Sequence, residues 1–335
     1  MPGAVVHGAG HYVLGETDTA TDLLLFEALG LGMVFGGGAV IALTGASRYV
    51  VGPAAAVTIL GVGTFGLSLA ADMYGSVSPD PGAAALRLPQ LQPMLESELG
   101  YRRVDDPLFR HRDFLVERVA YNRGALGVGL SGFFSVEGDN ARYRADGVYR
   151  LFDDGGGGDA TPRDRLELEL GFVHHRYLVE HFDMTSAELG VAGRYDLSRI
   201  GRTLAGSFVE LGVGYGHGVI TYDVPGHDLP SDDHMLLLAR FGFGVTLRGA
   251  SGPGSEALLY YDHRHDDFAA GLKVTGLGSG VAGHFGFRAR WFFNDVVGVS
   301  GDVAIGSAWV YGGSLVLRQP AVSSARSARH DGVKP

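Results

Sequence analysis

The stretch LLYYDHRHDDF, residues 258–268, brings two imidazoles and several carboxylates together within a few positions. Neutral imidazole and carboxylate bind divalent metal ions, and a histidine beside an acid can move protons during hydrolysis. His263, His265 and Asp266 are therefore the candidate catalytic residues. The same stretch also has the pattern of an apolar strand that ends in water. Which interpretation holds depends on the secondary-structure elements that contain this stretch.

The composition excludes several kinds of partner and site. The chain has 335 residues with 54 Gly, no Cys, 19% charged residues and a net charge of −10. An acidic chain without a clustered cationic surface cannot displace counterions from a phosphate backbone, so nucleic acid is excluded as a partner. The absence of Cys excludes disulfides and thiolate chemistry. No cofactor is expected from the glycine pattern, because no nucleotide-binding motif accompanies it.

Two apolar stretches near the N-terminus predict a helical hairpin. They lie within residues 1–74 and favour helices over about 21–45 and 50–73, each about long enough to cross a bilayer. A buried Gly- and Ala-rich helix pair that packs on the rest of the protein is the alternative. The first 20 residues carry no Lys or Arg, so no ordinary signal peptide is visible and we expect a leader upstream of this start. Four prolines mark residues 75–95 as a linker.

From residue 96 the chain follows a period of two. In GHFGFRARWFF, residues 283–293, Phe285 and Phe287 share one face while Arg288 and Arg290 share the other. Helical spacing cannot separate the residues in this way, whereas a strand does. Similar segments recur along the chain and predict ten to twelve antiparallel strands, preferably twelve, between 96 and 318. A polar disordered tail is predicted for 319–335.

The apolar face of these strands is expected to point outward. The opposite face consists of Gly, Glu, Arg and Asp, which are too charged and too small for a packed core. An apolar exterior with a polar interior is typical of a transmembrane β-barrel, which also leaves no unpaired sheet edge in lipid. The predicted lumen charges are Glu167, Glu169, Glu188, Arg194, Glu210, Arg240, Glu256, Asp262, Arg264, Arg288, Arg290 and Asp302. Paired Glu and Arg would largely plug the lumen, and a narrow water-filled path is the alternative.

Histidines gather at one rim of the predicted barrel. If consecutive strands form hairpins, one rim collects His111, His174, His175, His181, His217, His227, His234, His263, His265 and His284. This pattern is compatible with a divalent metal site, for which the candidate ligands are His174, His175, His263, His265, Asp266 and Asp267. Polar loops that need no ligand explain it equally. On a ninth strand over 255–266, the rings of His263 and His265 would point to the lipid.

Two resemblances accompany these patterns. The stretch YYDHRHDDFAAGL resembles the active-site region of outer-membrane lipid A deacylases, in which a His-x-Ser motif precedes a run of small residues. His263 matches the motif, but His265 stands where the nucleophile would be and no serine follows before Ser279. The missing hydroxyl argues against acyl transfer. The whole chain resembles uncharacterised Gram-negative outer-membrane β-barrel proteins, in which a PG…HG.GH segment and an apolar hairpin precede the barrel.

The preferred interpretation is a non-enzymatic, porin-like barrel of the outer membrane of a Gram-negative bacterium, with a structural, binding or small-solute transport role. Its expected partners are the lipid bilayer, the outer-membrane assembly machinery and lipopolysaccharide. One alternative is a membrane-embedded lipid-modifying hydrolase with its site near His263, His265 and Asp266, and another is a soluble ligand-binding β-barrel. Anchoring in the inner membrane through residues 23–71 is the alternative location.

Overall fold

A computed structural model describes residues 6–47, 49–77, 93–107, 112–153, 164–227, 229–247, 255–269, 272–274 and 278–320. Several predictions lie outside these residues, namely most of the linker, the tail after 320, His111 and the Ala270-Gly271 part of the deacylase-like run. The described chain forms an N-terminal helical region followed by a closed barrel.

The N-terminal region contains a short helix and the predicted hairpin. The helices are α1 (Ala9–Val13), α2 (Thr17–Leu43) and α3 (Val51–Val77), and α2 and α3 are both long and apolar enough to cross a membrane. A Cβ atom placed on Gly30 would lie 2.8 Å from the Gly61 carbonyl oxygen, and one on Gly61 would lie 2.8 Å from the Gly30 carbonyl oxygen. The two helices therefore pack backbone against backbone, which only small residues allow.

The hairpin lies against the outside of the barrel. Gly63 of α3 packs directly on the Phe241 ring, and the Tyr74 and Phe243 rings lie 5.9 Å apart. A buried cluster of Leu23, Ala71, Leu197 and Leu204 joins the hairpin to a turn of the barrel. Most of α2 stays exposed. The hairpin thus packs on the protein, as one interpretation of the sequence expected, and also keeps a large apolar surface.

The strands run antiparallel to their neighbours. They are β1 (Pro93–Asp105), β2 (Asp113–Arg123), β3 (Leu126–Ser135), β4 (Asn140–Asp153), β5 (Arg165–Tyr177), β6 (Phe182–Asp196), β7 (Ser207–Tyr222), β8 (Asp232–Thr246), β9 (Glu256–Asp262), β10 (Leu272–Val274), β11 (Gly278–Ala282), β12 (His284–Phe292), β13 (Val297–Ile305) and β14 (Trp309–Pro320). Twelve of them close a barrel in which β1 pairs with β14, and β10 and β11 form a separate hairpin. The prediction of a closed twelve-stranded barrel is confirmed.

The ninth strand is shorter than the sequence predicted. It ends at Asp262, whereas the alternation of residue types extends to 266. The Asp262 carboxylate accepts a hydrogen bond of 2.9 Å from the backbone N–H of Arg264, a turn that ends the strand. Residues 263–269 are here called the inward segment. The backbone N–H of His263 still donates to the Ala239 carbonyl oxygen of β8 at 2.8 Å, and residues 264–269 then leave the sheet and reach into the barrel.

The barrel has an apolar outer face and two distinct rims. Large apolar side chains such as Leu99, Leu130 and Leu189 are exposed on the outer face. The rim where β1 begins and β14 ends is called the terminal rim. The opposite rim, called the loop rim, holds the inward segment and a buried cluster of Val104, Phe114, Phe268, Ala269, Ala304, Ala308 and Val310.

Candidate functional site

The inward segment is anchored inside the loop rim by Phe268. The ring centroid of Phe268 lies 4.7 Å from that of Phe114 and 5.7 Å from that of Phe133. The His175 ring packs edge-on against it, with centroids 5.0 Å apart. Because Phe268 is only 6% exposed, the segment occupies space that would otherwise open into the lumen.

Two ion pairs fix the same segment to the wall of the barrel. The Arg264 guanidinium donates to both carboxylate oxygens of Glu188 at 2.6 and 2.7 Å, and Arg142 donates to Asp267 at 2.9 Å. Burial alone would raise the pKa of Asp267, but the nearby guanidinium of Arg142 lowers it below its usual range. Glu188 belongs to β6, three strands from β9, so this pair crosses the lumen rather than joining neighbours.

Further ion pairs join strands that are not neighbours. Arg240 donates to Glu169 at 2.5 Å, Arg194 to Glu256 at 2.8 Å, Arg290 to Glu96 at 2.5 Å and Arg102 to Asp302 at 2.6 Å. Glu167 lies beside Arg150 and Arg165, and Glu210 lies beside Arg165 and Arg194. The Arg288 guanidinium lies 5.4 Å from the centre of the Tyr260 ring. Charges of both signs thus line the interior and largely satisfy one another.

Between these pairs the lumen keeps some free space. A cavity of about 50 Å³ is lined by Arg144, Glu169, Glu188, Arg240, Asp262 and Arg264, together with several glycines. Its lining combines these charged groups with glycine backbone and a few apolar residues, among them Leu238. Such a surface suits water and small polar solutes rather than an apolar ligand.

Of the three candidate catalytic residues, the two histidines lie together, whereas Asp266 is engaged by an arginine. The His263 Nδ1 atom lies 2.9 Å from the Tyr261 hydroxyl oxygen, and the Tyr261 ring stacks on Phe241 on the outer face. Asp266 instead lies 3.4 Å from Arg264, inside the barrel. In the described part of the chain, no serine or threonine hydroxyl is hydrogen-bonded to His263 or His265. A serine or threonine nucleophile activated by these imidazoles is therefore absent from the described residues.

Burial makes His263 and His265 weak bases. The burial of the ring, and next the nearby His265, lower the pKa of His263 from 6.5 to about 4. Burial likewise lowers the pKa of His265. Both rings are therefore neutral at neutral pH. Their centroids lie 4.8 Å apart in an edge-to-face contact.

The candidate metal ligands are dispersed. His174 Nδ1 lies 2.9 Å from the Thr185 hydroxyl on the outer face, while His175 is buried inside and its Nε2 lies 2.9 Å from Asn140. Asp267 is held by Arg142. Over the described ranges, no three His, Asp or Glu side chains form a group that could hold a metal ion.

A polar cluster that the sequence did not indicate joins α1 and the hairpin to the terminal rim. His11 Nδ1 lies 2.8 Å from Glu16 Oε2, and the Thr203 hydroxyl donates to the same oxygen at 2.8 Å. The other ring nitrogen, Nε2, lies 3.8 Å from Asp72 Oδ1, and neither of these two buried atoms has a hydrogen-bond partner. We call this set of four side chains the rim junction. The only sequence signal for this cluster is the presence of charged residues at the ends of apolar helices, where an unpaired charge is costly.

A second buried polar contact lies next to the rim junction. His7 Nδ1 and the Ser68 hydroxyl share a short hydrogen bond, and the His7 backbone N–H donates to Glu27 at 3.0 Å. His7 is 1% exposed, so it is closed to any substrate in this conformation. The pair therefore fastens the N-terminus to the hairpin rather than forming an open catalytic dyad.

Comparisons with known proteins find similar β-barrel structures but no matching family. No family model matches the chain, and a search of curated proteins finds no match. Among solved structures, the KdgM porin in complex with disordered oligogalacturonate is 7% identical, with 66% of this chain and 98% of that chain covered and a TM-score of 0.42. Omp33 of Acinetobacter baumannii is 14% identical over 68% and 99%, with a TM-score of 0.32. Outer membrane phospholipase A from Escherichia coli is 13% identical over 72% and 99%, with a TM-score of 0.36.

Proposed function

We propose that the protein is an outer-membrane barrel that passes small polar solutes through a lumen narrowed by the inward segment. The observation that carries this proposal is the Arg264–Glu188 pair, which holds the segment across the lumen at 2.6 and 2.7 Å. A cavity of about 50 Å³ next to this pair has charged side chains in its lining, which suits a small polar solute. At rest, the segment and the cross-lumen ion pairs leave the lumen largely plugged.

The outer surface supports the membrane location. A band of exposed apolar side chains surrounds a closed sheet, and both features are requirements for a barrel in lipid. The same band and the charged lumen disfavour a soluble ligand-binding barrel. Helices α2 and α3 are apolar enough to lie in the same bilayer beside β8. In this proposal the N-terminal segment is therefore a membrane-embedded addition to the barrel rather than an inner-membrane anchor.

The first experiment tests location and closure of the barrel. Membranes are separated by density, and the gel mobility of the protein is compared before and after boiling in detergent. We expect the protein in the outer-membrane fraction, with the unboiled form migrating faster. Protein in the inner-membrane fraction, or a mobility that boiling does not change, would overturn the membrane-barrel proposal.

The second experiment tests the role of the inward segment. Unitary conductance in planar bilayers is compared for the wild type, Arg264→Ala and the control Arg176→Ala. Arg264→Ala releases the segment, while Glu188 keeps Arg144 as a partner at 2.9 Å. Arg176 lies at the loop rim, and within the described ranges its only ion pair is with Asp183 at 3.8 Å. We expect small, brief wild-type currents that grow in Arg264→Ala alone. Large stable currents in the wild type, or no change in Arg264→Ala, would contradict the proposal.

The lipid-modifying hydrolase has no supporting contact among the described residues. His263 bonds to a tyrosine and Asp266 lies beside an arginine, so neither is paired with a serine or threonine hydroxyl. We therefore propose no enzymatic activity for this site.

A further inference from the structure

An acidic side chain lies on the outer face of the barrel, within its apolar band. Glu117 of β2 is in register with Leu99 of β1 and Gly132 of β3. Its neighbours on the same face of β2 are Leu115 and Val119, which are 52% and 48% exposed. Glu117 is itself exposed, and its carboxylate makes no ion pair or hydrogen bond within the described chain.

A groove in the outer face runs beside this carboxylate. The Phe134 ring lies over Gly132, and Ala145 provides only a small side chain, which leaves a hollow in the surface between β2 and β4. The space measures about 340 Å³, and its outward walls are Val119, Leu130, Phe134, Tyr143 and Phe172. The groove is thus apolar except for the carboxylate at one edge and the Tyr143 hydroxyl.

An ionised Glu117 in contact with lipid is energetically costly, and this limits which molecules can occupy the groove. An ionised side chain on the lipid-facing side of a barrel is destabilising in a depth-dependent way, and it persists where it has a partner. Tyr101 faces outward and its hydroxyl bonds to Asp113 at the start of β2. It pairs with Leu115, two residues from Glu117 on the same face, and marks the water interface on the loop-rim side of Glu117. A partner must therefore combine a cationic group near the interface with an apolar part that extends deeper.

We propose that the groove binds a lipid whose headgroup carries an ammonium group. The ammonium pairs with Glu117, and an acyl chain lies along Phe134, Tyr143 and Phe172. Charge complementarity selects the ammonium, and the apolar walls select the chain. The inference rests on the membrane location proposed above.

The test uses the full-length protein in detergent micelles supplied with equal amounts of phosphatidylethanolamine and phosphatidylglycerol. Native mass spectrometry counts the lipids that stay bound. We expect the first retained lipid to be phosphatidylethanolamine, with a preference of about two- to fivefold, the range for one exposed ion pair. Glu117→Gln removes the charge and should abolish the preference.

Two further variants distinguish the contribution of the Glu117 charge from that of the groove. Gly132→Val obstructs the groove, because a Cβ atom there would lie 2.6 Å from the Phe134 ring and displace it, and the variant should reduce retention while Glu117 remains. The control is Glu98→Gln in the lumen, where the carboxylate accepts from Ser300 at 2.7 Å, and it should keep the preference.

Three results would overturn the inference: equal retention of both lipids by the wild type, a preference that survives in Glu117→Gln, or a dimer that depends on Glu117 and carries no lipid. The gel-mobility assay on the same sample distinguishes the causes. A folded, heat-modifiable barrel without lipid preference refutes the lipid site alone, whereas loss of heat modification refutes the membrane barrel.

Discussion

Arg264 and Glu188 lie 76 residues apart in sequence and form a two-pronged ion pair across the barrel, with N–O distances of 2.6 and 2.7 Å. The Glu188 side chain is 4% exposed and also receives Arg144 at 2.9 Å. Parallel hydrogen bonds between guanidinium and carboxylate fix orientation as well as distance. The pair therefore determines where the inward segment lies, and the neighbouring Phe268 determines how tightly it is held.

Phe268→Ala should release the inward segment. Removing a buried phenylalanine ring costs roughly 3–5 kcal/mol in a packed core, and it would leave a cavity beside Phe114. We expect trypsin added to proteoliposomes from the loop-rim side to cleave after Arg264 in this variant and to spare the wild type.

The control for this cleavage is Leu229→Ala. Leu229 lies in the loop between β7 and β8 and is 44% exposed, so its removal leaves the segment in place. Equal resistance of Phe268→Ala and the wild type would show that the ion pairs alone hold the segment.

Acidification should weaken the docking of the inward segment. The pKa of His263 is lowered from 6.5 to about 4 in the docked segment, chiefly by burial. Between these two values a released segment binds a proton that the docked one does not, so docking loses stability as the pH falls through this window. The pKa of His265 is lowered too and acts in the same direction.

Asp267 does not act in this window. Its pKa is lowered below the usual 3.8 despite burial, because Arg142 favours the charged form. Its contribution is therefore present above that value and is lost only in stronger acid. We expect channel opening in bilayers to rise between about pH 7 and about pH 5, the range in which histidine titrates, and the double variant His263→Gln with His265→Gln to remove this rise. A rise that survives in the double variant would assign it to other groups.

The alternation of residue types was enough to predict the barrel. Phe285, Phe287 and Trp291 fix one face of β12 as apolar, and a one-residue shift would move all of them into the lumen. The error in β9 has a local cause. His263 and Arg264 continue the alternation, but the side chain of Asp262 accepts from the backbone two residues on and ends the strand.

Contacts between distant segments could not be predicted in the same way. The sequence indicated that Glu188 and Arg264 would be charged lumen residues, yet nothing in their spacing pairs one with the other across three strands. The rim junction is harder still. His11, Asp72 and Thr203 belong to three elements whose approach depends on how the hairpin packs on the barrel.

Asp72→Asn should stabilise the rim junction. His11 Nδ1 lies 2.8 Å from Glu16, which places a donated N–H on that nitrogen and leaves Nε2 as an acceptor. Nε2 then faces Asp72 Oδ1, a second acceptor, at 3.8 Å. An amide at position 72 can donate a hydrogen bond instead, worth about 1 kcal/mol.

The quantity to measure is the free energy of unfolding of the N-terminal region. Its readout is the resistance of residues 6–16 to a non-specific protease in urea. His11→Ala is the matched loss variant, because it removes the contacts to Glu16 and Thr203. We expect protection to increase in Asp72→Asn and to fall in His11→Ala. If protection instead falls in Asp72→Asn, Nε2 carries a proton in the wild type, and the charged His11 ring attracts the Asp72 carboxylate.

Gly30→Ala should separate α2 from α3, whereas Gly32→Ala should not. A Cβ atom on Gly30 would lie 2.6 Å from the Phe65 backbone nitrogen and 2.8 Å from the Gly61 carbonyl oxygen, and backbone atoms cannot move aside cheaply. A Cβ atom on Gly32 meets nothing within 4 Å. Both changes replace a helical glycine with alanine and gain roughly 0.5–1 kcal/mol of helix stability, so their difference isolates the contact.

The separation can be measured by disulfide cross-linking, because the chain has no cysteine of its own. A Cβ atom on Gly201 would lie 3.2 Å from the Thr19 Cβ atom, so Thr19→Cys with Gly201→Cys joins the start of α2 to the terminal rim. If α2 and α3 dock on the barrel as one unit, Gly30→Ala slows cross-linking severalfold and Gly32→Ala leaves its rate unchanged. Equal rates in the two variants would mean that α2 reaches the rim independently of its contact with α3.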